Sequence, residues 1–400
     1  MLKSTSVFVM LHLSLIFAGF MIGGFSTSLP LIQGEFLFSD TEMGFLGSLN
    51  LWGMMIGALV FGVVADRIGR KKLIIMALFV GAVMNSLIFF ANDFAVFALL
   101  RLLTGVGIGA ITPLSASLLS EYLTAKTRTF MLTILMTGIP IGQLLVATTG
   151  IIILDFLPWR FLFLFSLVAC LLLPLMMRYL PETLSKAGDK KTTLAEAGEA
   201  LDSAEDNAGL FVGKRLRNLL LLFVVFFCNL YVFYGVSTWL PGLMAIQGFA
   251  LVSGLIFLVA FLVGNISLPI FAGSLINRLG YKKIMFIAYI ILVTMIFLLS
   301  LGIDGVWGFP LVFLIGGSVG VVQNMVVAIA PNFFPSRLRG SAIGICSAGS
   351  RVGSALAPII VGFLIAWQLQ PAGIFLTFII PAIIAMIALL LTCPFNQRNI

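Results

Sequence analysis

Charge is what this sequence lacks most. Of its 400 residues only 10% are Asp, Glu, Lys or Arg, while 61% are apolar and the mean hydropathy is +1.18. A soluble fold of this length needs far more charge to cover its surface, so water is excluded as the main solvent. Histidine occurs once and cysteine four times, at Cys170, Cys228, Cys346 and Cys393. The cysteines are scattered in or beside apolar stretches without CxxC or metal-ligand spacing, which argues against a metal centre and a disulfide framework. There is no Walker loop for ATP, no cofactor motif and no visible nucleophile–base pair, so the sequence reads as neither an ATP-driven pump nor an enzyme. Gly105, Gly107 and Gly109 have a nucleotide-loop spacing, but no strand precedes them.

What fills the chain instead is uncharged runs of about 20 residues, the length that spans a bilayer. Examples are 8–32, 73–91, 161–177, 219–260 and 373–391. The first lacks a cleavage site followed by a polar mature chain, so it reads as a retained helix. Twelve helices are expected, over 6–32, 43–65, 73–91, 95–119, 128–154, 158–180, 216–241, 250–275, 282–302, 307–330, 339–367 and 371–393. The fold class is therefore an all-α membrane protein. Its one substantial polar segment, 182–215, reads as a linker between 1–181 and 216–400.

The net charge of +8 needs no nucleic acid to explain it. Lys3, Arg67, Arg70, Lys71, Lys72, Lys126, Arg128, Arg178 to Arg217, Arg278, Lys282, Lys283, Arg337, Arg339 and Arg398 fall at one set of helix ends. Glu35, Asp40, Glu42, Asp93, Asp155 and Asp304 fall at the other. This positive-inside pattern puts both termini and the linker in the cytoplasm of a bacterial-type inner membrane.

The two sides of the linker repeat each other at a constant offset of 211 residues (241 − 30). Residues 24–30 (GFSTSLP) align with 235–241 (GVSTWLP), Gly62 with Gly273, Arg67 with Arg278, and Gly69 with Gly280. Arg128 likewise aligns with Arg339, and Gly142 with Gly353. Each repeat holds six helices, an even number, so the bundles share one orientation, with a solute path between them.

Residues 62–72 (GVVADRIGRKK) fill the short loop after the second helix. This loop resembles the signature of the major facilitator superfamily. Residues 101–105 (RLLTG), Trp159-Arg160 and 180–183 (LPET) are similar to the same superfamily. Residues 239–241 (WLP) and 335–340 (PSRLRG), followed by Arg351, Gly353 and Pro358, resemble its aromatic-acid:proton symporters and related organic-ion and sugar carriers. The resemblance implies alternating access by a monomer, a small-molecule substrate and proton-coupled uptake. It also implies a cytoplasmic latch from Gly62, Asp66, Arg67, Gly69, Arg70, Glu121 and Arg128, with Asn277, Arg278 and Arg339 in the second half. Asn277 replaces the acid of the first-half loop, which makes the latch asymmetric.

One departure bears on coupling. Where that branch carries two acids in the first helix, this chain has Ala18-Gly19-Phe20-Met21. All fifteen acidic residues lie at helix ends or in loops, so uniport or anion exchange fits the sequence better than symport by that route.

Arg101 and Arg351, by contrast, fall inside helices. A buried guanidinium either braces backbone carbonyls or meets a carboxylate, whose geometry it matches. The candidate substrate site is completed by Trp52, Gln143, Asn229, Tyr234, Trp239, Gln323 and Asn324, each of which could equally serve packing. His12 and Glu121 are candidate proton sites, the first alternatively a packed histidine, the second a member of the charge network. The leading reading is a secondary transporter of a small organic anion, a carboxylate or aromatic acid. The alternatives are a drug or metabolite efflux antiporter and a sugar or neutral-solute carrier.

Overall fold

The computed structural model describes residues 2–123, 125–181, 210–302, 305–335 and 338–392. Most of the expected linker (182–209) lies outside them, as do the side chains of Asp66, Arg67, Arg128 and Asn277. Twelve helices are long and apolar enough to cross a membrane. They are α1 (Thr5–Phe36), α2 (Asp40–Gly62), α3 (Arg70–Phe90), α4 (Phe94–Ser120), α5 (Phe130–Ile153) and α6 (Arg160–Tyr179) in the first half. The second half holds α7 (Gly213–Ile246), α8 (Leu251–Ile276), α9 (Tyr281–Ser300), α10 (Gly308–Ile329), α11 (Ser341–Ala366) and α12 (Pro371–Leu391).

Local chemistry sets where these helices start. Ser39 caps α2: its Oγ accepts from the Glu42 N–H, and the Glu42 carboxylate accepts from the Ser39 N–H at 2.8 Å. Asp93 caps α4 through the Val96 N–H at 2.9 Å. Gly69 and Gly280, mates in the sequence repeat, both take positive φ (97° and 74°) in the tight turns entering α3 and α9.

Prolines break the helices three residues upstream, because the ring removes one hydrogen bond and crowds the carbonyl four residues back. Pro113 breaks α4 at Ala110, Pro140 breaks α5 at Thr137, and Pro381 breaks α12 at Phe378. Pro174 follows a 3₁₀ stretch at 165–171 in α6. The sequence reading had these as unbroken helices. It also ended the first and seventh helices near Pro30 and Pro241, whereas both continue, to Phe36 and Ile246.

The halves meet most tightly at the face away from the chain ends. A Cβ at Gly44 of α2 would lie 2.7 Å from the Pro358 carbonyl of α11, and one at Gly362 would lie 2.5 Å from the Asp40 carbonyl. Phe45 and Phe363 pack edge to face just beside this crossing. Only glycine lets two helix backbones approach so closely. Along the same face Gly242 of α7 faces Leu29 of α1, and Gly150 of α5 approaches Leu255 of α8. At the face where α1 begins and α12 ends, Gly62, Gly273 and Gly344 have nothing within 4 Å of a Cβ. The path is shut at the far face, and among the described residues no comparable glycine seam closes the chain-end face.

Candidate functional site

Between the halves lies a narrow, partly open cleft with room in this form for little more than a water molecule. From the first half, α1 gives it Ile22, Phe25 and Ser26, and α2 gives Gly47, Asn50 and Leu51. Arg101 of α4 and Gln143 of α5 complete that side, while Tyr234, Ser237 and Thr238 of α7 form the other. Ser26 and Ser237 are the same position of the repeated segment, so equivalent turns of α1 and α7 line the cavity from opposite sides.

Arg101 dominates its electrostatics. The side chain is 2% exposed, and its guanidinium carbon sits 4.7 Å from the centre of the Phe25 ring. Its Nε donates to the Leu46 carbonyl at 3.2 Å, but its Nη1 is buried without a hydrogen-bond partner. One nitrogen therefore braces α2, and another is buried without a partner among the described residues. Asn50 Nδ2 donates to the Arg101 carbonyl at 3.4 Å, leaving Asn50 Oδ1 buried and unpaired. Gln143 is 5% exposed, and its Oε1 also lacks a partner. Three polar atoms without partners among the described residues thus gather at one narrow, partly aromatic cleft, although buried polar groups are ordinarily satisfied.

Of the nine expected substrate residues, the cavity brings together Arg101, Gln143 and Tyr234. Arg351 of α11 is half-buried and does not line it. Its guanidinium has no hydrogen bond or ion pair among the described residues, and its charge reaches Tyr234. Trp239 donates its indole N–H to the Pro358 carbonyl at 3.0 Å and is buried against α11. Asn229 donates to Gln323 Oε1 at 2.8 Å and Asn324 to the Gly320 carbonyl at 3.2 Å, so these amides bind α7 to α10 and α10 to itself. Trp52 packs half-buried against the core outside the cavity. His12 stacks on Phe8, with Nδ1 3.3 Å from the Leu135 carbonyl, at the α1–α5 contact. Asn50, Ser26, Ser237 and Thr238 were missed. Asn50 carried a usable signal, as an amide in mid-span, and the serines sat in the repeated segment itself.

In the signature loop Arg70 pairs with Glu121, and Gly62 stands exposed. Arg339 donates Nε to the Phe334 carbonyl at 3.1 Å, and Arg278 is exposed. Tyr122, beside Glu121 and outside the spans, has its phenol pKa raised by burial first and by the neighbouring carboxylate second.

The pattern of the Major Facilitator Superfamily matches residues 11–341 and again 259–398. The chain belongs to this superfamily. It is a multi-pass membrane transporter and not an enzyme. Among its relatives, the benzoate transport protein of Acinetobacter baylyi is 29% identical over 96% of this chain and 88% of its own. The 3-(3-hydroxy-phenyl)propionate transporter of Escherichia coli is 31% identical over 86% of this chain and 82% of its own. In fold it matches the xylose transporter of E. coli, solved in a partially occluded inward-open conformation, with a TM-score of 0.78 at 15% identity over 100% of both chains.

Proposed function

We propose that this transporter carries small aromatic carboxylates through the central cavity by alternating access. The observation that carries the reading is the buried Arg101 guanidinium, seated on Phe25 with Nη1 unpaired. A guanidinium offers paired N–H donors that match a carboxylate, and an aromatic ring has Phe25 and Tyr234 to pack against. The two relatives, named for benzoate and a hydroxyphenyl-propionate, support the same class. Arg351 is the second positive charge, free to meet the anion as it enters or leaves.

The bundles 1–181 and 216–400 act as the two rocking bodies, within one monomer, joined by 182–215. Basic helix ends put the chain-end face in the cytoplasm of an inner membrane, which makes the present form inward-facing. The loop from Gly62 to Arg70, with Glu121 and Arg128 and with Asn277, Arg278 and Arg339 opposite, closes that face when the far seam opens.

Uptake by the protein reconstituted with unlabelled benzoate in the lumen tests the reading with four labelled probes: benzoate, benzyl alcohol, benzylamine and xylose. Benzoate is expected to enter and the other three are not. Uptake of the neutral or cationic probes without benzoate overturns it.

A further inference from the structure

We propose that the carrier is an obligatory exchanger: its empty form does not change sides, and one anion leaves for each that enters. This rests on the anion reading above and specifies its mode. The argument begins with charge balance. Every acidic residue lies in a terminal turn of a span or between spans, and among the described residues no carboxylate lines the cavity. The ion pairs Arg70–Glu121 and Arg160–Glu35 are both at span ends. Arg101, 2% exposed, has only the Phe25 ring and one carbonyl for company, and Arg351 has neither carboxylate nor hydrogen bond among the described residues. His12 is 13 residues along α1 from Phe25, roughly 20 Å at the rise of a helix, and faces the Leu135 carbonyl.

To change sides, the protein must pass through a form closed on both faces, in which the cavity sheds water. Closing strips the half-buried Arg351 of the solvent it keeps in this form and brings no counter-charge to it or to the already buried Arg101, which is costly. A bound carboxylate supplies the counter-charge, so the loaded form crosses. A carboxyl group beside the cavity that took up and released protons could neutralise the empty form, but the carboxylates within the spans, Glu35, Asp40 and Glu42, all sit in terminal turns. The return journey therefore needs another anion.

Labelled benzoate uptake into proteoliposomes separates these cases, after subtraction of protein-free liposomes. The lumen contains unlabelled benzoate, chloride, or only HEPES–N-methylglucamine, each with and without external acid. Lumenal benzoate is expected to raise uptake roughly tenfold or more over the HEPES lumen, with no drive from the pH gradient. Stimulation by lumenal chloride also supports exchange, with an inorganic anion as the return load. Equal uptake into the HEPES lumen, or accumulation driven by acid outside, overturns the proposal.

A second variant tests the charge argument. Ile22→Asp places a carboxylate in the cavity that Arg101 lines. It is expected to release uptake into the HEPES lumen and make it rise with external acid. A variant that binds benzoate yet still requires a lumenal anion contradicts the argument. Benzoate that binds and enters an anion-free lumen sinks exchange alone. Benzoate that never binds the purified protein sinks the anion reading, and exchange with it.

Discussion

Arg101 and Asn229 show how differently a polar residue in a membrane helix can be used. Arg101 is partly satisfied and keeps one nitrogen unpaired at a cavity; Asn229 spends its N–H₂ on Gln323 and on the Val319 carbonyl. From sequence alone both are mid-span polar side chains, and nothing in their spacing tells bracing from binding. The structure makes the distinction testable. Asn229→Leu leaves the Gln323 oxygen without its donor, a loss on the order of 1–3 kcal/mol. It should lower the melting temperature without changing benzoate affinity, because the amide pair does not line the cavity. The double variant Asn229→Leu/Gln323→Leu should recover most of that loss. A melting temperature unchanged in the single variant, or affinity lost with it, would refute the bracing role.

At the scale of helices, the repeat was legible because its marks are glycines and charges at turns. Gly69 and Gly280 need their positive φ wherever the helices pack. Breaks within spans were harder to read, although Pro113, Pro140 and Pro381 each fix one by removing the same backbone bond. Pro30 and Pro241 sit in helices that run on, so proline alone did not settle where a span ends. The seam at the far face was not legible, since it depends on which glycines of α2 and α11 meet. Gly44→Val would push a side chain against the Pro358 backbone carbonyl, which cannot move aside. Such overpacking costs about 1–3 kcal/mol, and only in the form closed at that face. The equilibrium should shift roughly 5–150-fold toward the form open there. A cysteine at Thr238, in a background without the four native cysteines, should then react faster with an impermeant maleimide added from the far face. Gly62→Val, with open space around it in this form, should not produce that increase. Equal labelling rates in Gly44→Val and wild type would remove the seam from the gating account.

For the whole molecule, twelve spans were legible in the hydropathy, because membrane burial acts on every residue of a span alike, and the two-half plan was legible in the repeat. The cavity was legible only in part. Its wall depends on which face of each helix turns inward, and that is fixed by packing between distant segments. Hence Arg351, which the sequence places near mid-depth of α11, stays off the wall, while Asn50 lies on it. The central claim is that a buried guanidinium in this cavity holds the carboxylate of the cargo. Calorimetric titration of benzoate into wild type and Arg101→Gln tests it most directly, with benzyl alcohol as the uncharged control. A charge-assisted hydrogen bond contributes about 1.5–3 kcal/mol, so benzoate affinity should fall roughly 10- to 150-fold in the variant, while benzyl alcohol binds neither protein measurably. Equal benzoate affinity in a folded Arg101→Gln would contradict the account.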